Sequence, residues 1–197
     1  MLSCEFKIVL ASTSPRRIDI LRQAGIRFKA VNPKVEENSV HPDPRQRVME
    51  NALSKAKSVS GQIEARLILA ADTVVFINGE ILGKPSSVID ADEMIKTLTG
   101  RVHKVYTGVA LIDKTLNRTL VNFEETLVYF KNMTNCEINE WVLSGDVLDK
   151  AGSYSVQGMG SFYVDRFVGS YYNVLGLPLS LVKDMLDELK IELKELF

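Results

Sequence analysis

The stretch that decides the fold lies near the amino terminus and reads Phe6-Lys7-Ile8-Val9-Leu10-Ala11-Ser12-Thr13-Ser14-Pro15-Arg16-Arg17. Its apolar first half predicts a buried strand, and Ser14 followed by Pro15 is a typical start of a helix. A helix that begins directly after a buried strand presents amide groups, the positive end of its dipole and nearby hydroxyl and guanidinium donors to an anion. An ordinary capped helix with solvated arginines is the alternative, but the position after the first strand favours a site. We therefore predict a phosphate-binding turn with four ligands: Ser12, Ser14, Arg16 and Arg17.

The rest of the chain alternates helical and extended patterns, which predicts an α/β fold. A second helix begins at Asp43-Pro44 and carries Lys55 outside its buried stripe, which consists of Val48, Ala52, Ala56 and Val59. The apolar strand from Leu67 stops at Asp72-Thr73, resumes at Val74 and turns at Asn78-Gly79. Two long strands at 102–112 and 119–130 form an antiparallel pair, so the sheet is expected to be mixed.

The composition is that of a globular protein. With 197 residues, 46% of them hydrophobic, the chain can bury a core as one domain or as two closely joined lobes. The net charge of −1, from 24 basic and 25 acidic side chains, gives no general attraction to nucleic acids, so a phosphate site has to be a local cluster. The sequence shows no signal-type segment and no apolar run of membrane-spanning length. We expect a cytoplasmic protein without nucleic-acid or membrane partners.

Cysteine and histidine chemistry is not indicated. Cys4 and Cys136 form no Cys-x-x-Cys pair, which argues against a zinc ribbon or a thioredoxin-like centre. His41 and His103 lack the spacing of a zinc site or of a nucleophile and its base, so we expect both to be surface or structural residues.

Three further segments carry candidate chemistry. Asp72 interrupts a buried apolar strand, and such a carboxylate has to be hydrogen-bonded, charge-paired or metal-bound. Lys84 lies on the turn Gly83-Lys84-Pro85, which is not a Walker A loop because Pro85 stands where a serine or threonine is required. Gln157 lies in the glycine-punctuated segment 149–158, where an amide side chain could read the edge of a base.

These groups form a coherent set if the substrate is a nucleoside triphosphate. The carboxylates of Glu36, Glu37 and Asp72 suit Mg²⁺, which binds one or two carboxylates together with substrate phosphates. The remaining phosphate charge would be neutralised by basic side chains. These are Arg16, Arg17, Lys55 and Lys84.

The chain resembles the Maf family of nucleoside triphosphate pyrophosphatases, once described as septum-formation proteins, over nearly its whole length. The resemblance rests on segments that occur in the same order. They are 12–17, Glu36-Glu37, Ala71-Asp72-Thr73, Gly83-Lys84-Pro85, 100–108, 149–158 and 171–178. It implies a single Maf-like domain over residues 1–197, with an elongated mixed β-sheet, flanking helices, a fold related to the inosine triphosphatase type, and two lobes around a cleft.

The resemblance also implies an activity. Arg16, Thr73 and Gln157 match the positions at which the dTTP and UTP pyrophosphatases of the family differ from the branch that acts on methylated guanosine triphosphate. We expect hydrolysis of dTTP and UTP, and of modified pyrimidine triphosphates, to the monophosphate and pyrophosphate, as housecleaning of the nucleotide pool. Asp72 is the expected catalytic residue, and with Glu37 it is expected to hold a divalent cation, Mg²⁺ or Mn²⁺. The basic side chains and the serines named above are expected to bind the phosphates.

Two other expectations accompany this one. A non-catalytic nucleotide-binding regulator of cell division or septum formation is the alternative function, because a site of this kind can sense a triphosphate without turnover. The resemblance and apolar residues such as Phe162 and Phe167 indicate a homodimer.

Overall fold

The computed structural model describes residues 7–35, 39–145 and 147–197, and these ranges contain seven strands and seven α-helices. The strands are β1 (Ile8–Ala11), β2 (Phe28–Val31), β3 (Leu67–Ile77), β4 (Glu80–Leu82), β5 (Val102–Asp113), β6 (Arg118–Phe130) and β7 (Val164–Val168). The helices are α1 (Pro15–Gln23), α2 (Pro44–Ser60), α3 (Val88–Leu98), α4 (Asn135–Leu143), α5 (Gly160–Tyr163), α6 (Tyr171–Leu175) and α7 (Leu179–Glu188). Short 3-10 turns are found at Ala151–Ser153 and Leu193–Glu195. No helix in these ranges has the length and apolarity needed to cross a bilayer.

All of these strands belong to one sheet with the order β2-β1-β3-β5-β6-β7, and β4 pairs with β3. β1 is parallel to both β2 and β3, whereas β4 is antiparallel to β3 and β7 is antiparallel to β6. Only four residues, 114–117, connect β5 to its neighbour β6, and a connection of this length joins antiparallel strands. The predicted α/β fold with a mixed sheet is therefore confirmed.

The strand that carries Asp72 differs from the prediction. β3 runs without a break through this residue, because strand pairing uses backbone groups and the buried carboxylate finds polar partners on α2. The predicted turn at Asn78-Gly79 is confirmed, and both residues have the positive φ angles, 52° and 85°, that a two-residue hairpin turn requires.

The chain divides into two compact units, in agreement with the expected two lobes. The first comprises residues 1–72, 107–124 and 176–197, and the second comprises residues 73–106 and 125–175. The divisions fall inside β3, β5 and β6, so each of these strands contributes residues to both units. Asp72 is the last residue of its segment in the first unit, and Thr73 opens the second.

In the first unit, small residues allow α2 to lie close to the sheet. Ala52 and Ala56 are fully buried against the strands, in a core that also includes Val9 and Ile68. A Cβ atom on Gly108 of β5 would lie 2.4 Å from the backbone of the helix, so only glycine permits this approach. The close packing fixes the helix face that holds the polar side chains described below.

In the second unit, aromatic packing and a buried polar cluster organise the core. Trp141 of α4 is 1% exposed and stacks on Tyr163 with ring centroids 5.5 Å apart, so it is a core residue. The Nδ2 of Asn173 on α6 donates to the carbonyl of Val105 at 3.1 Å and to Oγ1 of Thr126 at 2.8 Å. Within the segment 171–178 quoted above, this asparagine therefore has a structural role.

Candidate active site

A buried ion pair joins α2 to β3 in the first unit. Nζ of Lys55 donates to Oδ1 of Asp72 at 2.6 Å, and Nδ2 of Asn51 donates to Oδ2 of the same carboxylate at 3.0 Å. Asp72 is 3% exposed, Asn51 5% and Lys55 6%. The three side chains thus satisfy one another, which is the condition under which a carboxylate and an ammonium group can be buried.

The burial of Lys55 corrects the prediction that it lies outside the buried stripe of its helix. Lys55 is four residues after Asn51 and one turn before Val59, so it lies on a face that packs inward. The hydrophobic pattern placed it outside because a lysine is apolar only along its stem. Its ammonium group lies inside the protein because the carboxylate of Asp72 is there to receive it.

The turn that follows β1 leaves the sheet shortly before the level of Asp72 in β3. In the parallel pair, Leu10 lies opposite Leu69. β1 ends one residue later, at Ala11, and Asp72 lies three residues past Leu69 within β3. Ligands of α/β proteins bind at such carboxyl ends of parallel strands. The predicted anion-binding turn and the predicted catalytic carboxylate therefore belong to the same region of the first unit.

Helix α1 begins as predicted, with Ser14 at the N-cap position and Pro15 as its first residue, but the Ser14 side chain makes no capping hydrogen bond. Instead, Oγ of Ser12 accepts from the amide of Ser14 at 3.1 Å, and the intrahelical bonding starts with Ile18 N–H donating to the Ser14 carbonyl at 3.1 Å. The hydroxyl of Ser14 is thus not used to close the helix. A helix N-terminus built in this way suits an anion.

Two arginines, Arg16 and Arg17, lie in the first turn of this helix. Both are half-buried. Nε of Arg17 donates to the carbonyl oxygen of Gly176 at 2.7 Å, which fixes the guanidinium group against the segment before α7. Gly176 has φ +101°, a backbone angle that favours glycine. Arg17 is therefore a structural anchor of the turn as well as a predicted phosphate ligand.

The second unit holds the remaining predicted site residues. Lys84 is exposed on the turn after β4, Gln157 is exposed in the loop before α5, and Thr73 is half-buried in β3. The amide of Gly152 donates to the carbonyl of Gly83 at 2.9 Å, so the segment 149–158 contacts the turn that carries Lys84. Two predicted site segments of this unit are therefore joined through their backbones.

The same segment is anchored by a buried pair of polar rings. Nε2 of His103 and the hydroxyl of Tyr154 share a hydrogen bond of 2.6 Å, and both side chains pack edge-on against Phe130. Burial lowers the pKa of His103 to about 3, and burial raises the pKa of the Tyr154 hydroxyl above its usual range. His103 is 2% exposed, which makes it a structural residue, one of the two roles expected for it.

One predicted residue has no described environment, and one important residue was not predicted. Glu37, together with Glu36, lies outside the described residues. Asn51 was missed, although its position four residues before Lys55 places both side chains on one helix face. Among the described residues, no three His, Cys, Asp or Glu side chains group as a metal site. The carboxylate of Asp72 accepts two hydrogen bonds, of about four that an ionised carboxylate can accept.

The fold has a counterpart among solved structures. The Ham1 protein of Staphylococcus aureus matches with a TM-score of 0.53, over 92% of this chain and 98% of that chain, at 15% sequence identity. Identity this low establishes a shared fold alone. The architecture is thus that of an α/β protein of the Ham1 type.

The sequence comparison then gives the family. The chain belongs to the family described as Maf-like protein, which it matches over residues 7–189, and the predicted membership is confirmed. It is 44% identical to the dTTP/UTP pyrophosphatase of Caldicellulosiruptor saccharolyticus over 193 residues, which cover 95% of this chain and 96% of that protein. It is 45% identical to the dTTP/UTP pyrophosphatase of Bacillus cereus over 181 residues, which cover 91% and 94%.

Proposed function

We propose that this protein is a nucleoside triphosphate pyrophosphatase that hydrolyses dTTP and UTP to the monophosphate and pyrophosphate. The observation that carries the proposal is the buried carboxylate of Asp72, which is bonded to the ammonium of Lys55 and lies a few residues along the sheet from the end of β1, where the predicted anion-binding turn begins. The names of relatives at 44% and 45% identity support the same activity and its pyrimidine substrates. Nucleotide pools lie in the cytoplasm, and we propose that the protein acts there.

In the reaction, the oxygen of a water molecule forms a bond to phosphorus, and the bond between the α- and β-phosphates breaks. Asp72 orients this water and receives its proton, which is the role of a general base. Asp72 and Glu37 would hold Mg²⁺ or Mn²⁺, which supplies positive charge to the phosphate oxygens and makes water more acidic when bound. An aspartate carboxylate fits such a cation, because Mg²⁺ prefers oxygen ligands and its site includes substrate phosphates.

The phosphate groups are bound by a set of donors from several segments. Lys55 is assigned to the phosphates because its ammonium group, bonded to Asp72 at 2.6 Å, carries a positive charge beside the proposed catalytic carboxylate. In this proposal, charge that develops on the leaving pyrophosphate is offset by these cations. The set consists of Ser12, Ser14, Arg16, Arg17, Lys55 and Lys84.

We assign recognition of the nucleotide's pyrimidine base to three residues, as the family resemblance implies. Arg16, Thr73 and Gln157 are the residues at which the pyrimidine branch of the family is distinguished. An amide such as that of Gln157 can both donate to and accept from the polar edge of uracil or thymine. Exchanging one of these residues should change the ratio of kcat/KM between substrates more than it changes stability.

The test is pyrophosphate release by the purified protein from a panel that contains dTTP, UTP, dCTP and dGTP, with Mg²⁺ or Mn²⁺. The expected result is turnover of dTTP and UTP, and its loss in Asp72→Asn with binding of dTTP retained. Binding without release in the wild-type protein would favour the non-catalytic regulator of cell division. No release from any triphosphate and no binding would end both readings.

We also propose a homodimer. The side chain of Phe162 is 70% exposed and that of Phe167 is 38% exposed, so the second unit presents large apolar groups at its surface. Light scattering on the eluate of a size-exclusion column would measure the molar mass. A mass near twice the 22.0 kDa of the chain is expected, and a monomeric mass would contradict the proposal.

A further inference from the structure

Helix α2 carries a polar face formed by Asn51, Lys55 and Ser58. These residues are spaced by four and three positions, so they lie above one another on the helix surface. Lys55 and Asn51 bind Asp72, as described above. Oγ of Ser58 donates to the carbonyl of Pro33 at 2.7 Å, and Oδ1 of Asn51 accepts from the amide of Ser39 at 3.1 Å. The same face therefore binds the strand residue Asp72 and two points of the chain between β2 and α2.

Asn51 bonds to both of these targets. Its Nδ2 donates to the carboxylate of Asp72, while its Oδ1 accepts from the backbone of Ser39. The opposite amide orientation would place Oδ1 against a carboxylate oxygen and Nδ2 against an N–H group, and both contacts would be repulsive. The two neighbours thus specify a single orientation for a side chain that is 5% exposed.

The segment that Asn51 reaches is itself held to α2. The hydroxyl of Ser39 donates to Oε2 of Glu50 at 2.5 Å, and Nε of Arg47 donates to the carbonyl of His41 at 3.0 Å. The amide of Ser39 is therefore a fixed point relative to the helix. Because the side chain of Asn51 bonds to this amide and to Asp72, the orientation of the carboxylate depends on the positions of the helix and the loop.

We propose that Asn51 is a positioning residue for Asp72: its amide bridges the carboxylate and the Ser39 backbone, and this sets the rotation of the carboxylate. The inference rests on the proposed function, in which Asp72 orients water. The χ2 angle of an aspartate has a broad energy profile, so bonds to the two oxygens decide the orientation of the plane. Lys55 fixes Oδ1, and Asn51 fixes Oδ2. Loss of Asn51 leaves the charge pair in place but frees the rotation.

Three variants separate the two bonds of Asn51 from general effects on α2. Asn51→Leu has a similar size and makes neither bond. Asn51→Asp can still accept from the Ser39 amide but has no donor for Asp72 when it is ionised. Ser58→Ala is the matched control, because it removes a bond between the same helix face and the preceding loop without a contact to Asp72.

The measurements are kcat and KM for dTTP in mildly alkaline buffer, and hydrogen exchange of the peptide that contains the Ser39 amide. A misplaced catalytic group can cost about 100-fold in rate, so we expect kcat to fall by about 10- to 100-fold in both Asn51 variants. KM should stay within about threefold, because the phosphate ligands are unchanged. Exchange at Ser39 should accelerate in Asn51→Leu and stay slow in Asn51→Asp, and Ser58→Ala should keep its kcat within about twofold.

The outcomes are distinguishable. Wild-type kcat in Asn51→Leu, or an equal loss of kcat in Ser58→Ala, would overturn the positioning role while the proposed function stands. Turnover absent from the wild-type protein would overturn the proposed function and this role with it. If Asn51→Leu does not fold, Asn51→Asp decides alone: slow Ser39 exchange with reduced kcat supports the role, and undiminished kcat overturns it.

Discussion

Replacing Lys55 by methionine removes the counter-charge of a buried carboxylate while preserving most of the apolar stem that packs on the sheet. The side chain of Lys55 is 7% exposed and that of Asp72 is 4% exposed, and their charged atoms are 2.6 Å apart. Removing one partner of such a pair leaves the other charge without compensation in a poorly solvated environment. We expect the free energy of unfolding to fall by about 3–5 kcal/mol.

The magnitude can be checked by two measurements. For a chain of this length, a change of 1 kcal/mol corresponds to about 2–4 °C in Tm, so Lys55→Met should melt about 6–20 °C below the wild-type protein. Urea unfolding followed by far-ultraviolet circular dichroism gives the free energy directly. Fluorescence of Trp141, the single tryptophan, reports on the second unit, and coincidence of the two transitions tests whether unfolding is two-state.

A double variant tests the electrostatic explanation. Lys55→Met combined with Asp72→Asn buries no charge, so it should be more stable than Lys55→Met alone. Lys57→Met on the same helix is the control, because Lys57 is exposed and its replacement should change stability by less than about 0.5 kcal/mol. The reasoning is refuted if Lys55→Met loses less than about 1 kcal/mol, or if the double variant gains nothing over it.

Three further changes should have effects of predictable direction. Gly108→Ala places a Cβ 2.4 Å from the backbone of α2 and should cost about 1–3 kcal/mol in unfolding experiments, whereas Gly61→Ala, in open space, should change stability little. Gly152→Ala, at φ +67° with a Cβ 2.8 Å from a valine side chain, should displace the turn that contacts the predicted phosphate-binding lysine. It should raise KM for dTTP several-fold, and Gly79→Ala, at φ +85° without a close neighbour, should not. Burial lowers the pKa of His103 to about 3, against 6.5 unperturbed, so the unfolded chain binds a proton that the folded protein excludes between these values. The free energy of unfolding is therefore not reduced by this group above about pH 6.5, and it falls by about 1.4 kcal/mol per pH unit as the pH drops below that value. The unfolding free energy of His103→Phe should lack that slope.

Local signals predicted the elements that local interactions determine. Ser87, Gly100 and the apolar residues between them at helical spacing predict a helix from about Val88 to Leu98, and the structure has these bounds. The turn at Asn78-Gly79 forms because its residues accept positive φ angles. Thr134 followed three residues later by Glu137 also predicts a capping box, which is present at the start of α4. In each case the stabilising groups lie within four residues of one another, so the sequence pattern contains the whole interaction.

The pattern was insufficient where the partner is distant in sequence. Lys55 and Asn51 are 17 and 21 residues from Asp72, and no periodicity within α2 reveals that a carboxylate lies opposite. For the same reason, the polar residue in β3 was taken as an interruption of the strand. The anchoring of Arg17 by Gly176 spans 159 residues and could be found only from the folded chain.

The polar face of α2 also bears on the choice between an enzyme and a sensor. A protein that only binds a triphosphate needs cations at the phosphates, and a buried carboxylate beside them weakens binding by repulsion. The structure nevertheless buries Asp72 and orients it with two donors, Lys55 and Asn51. Such a carboxylate is useful if it accepts a proton or holds a cation during a reaction, because it then stabilises the transition state and not the bound substrate. Asp72→Asn should therefore bind dTTP at least as tightly as the wild-type protein in calorimetry without added metal while releasing no pyrophosphate. Weaker binding of dTTP by this variant without metal would contradict the argument.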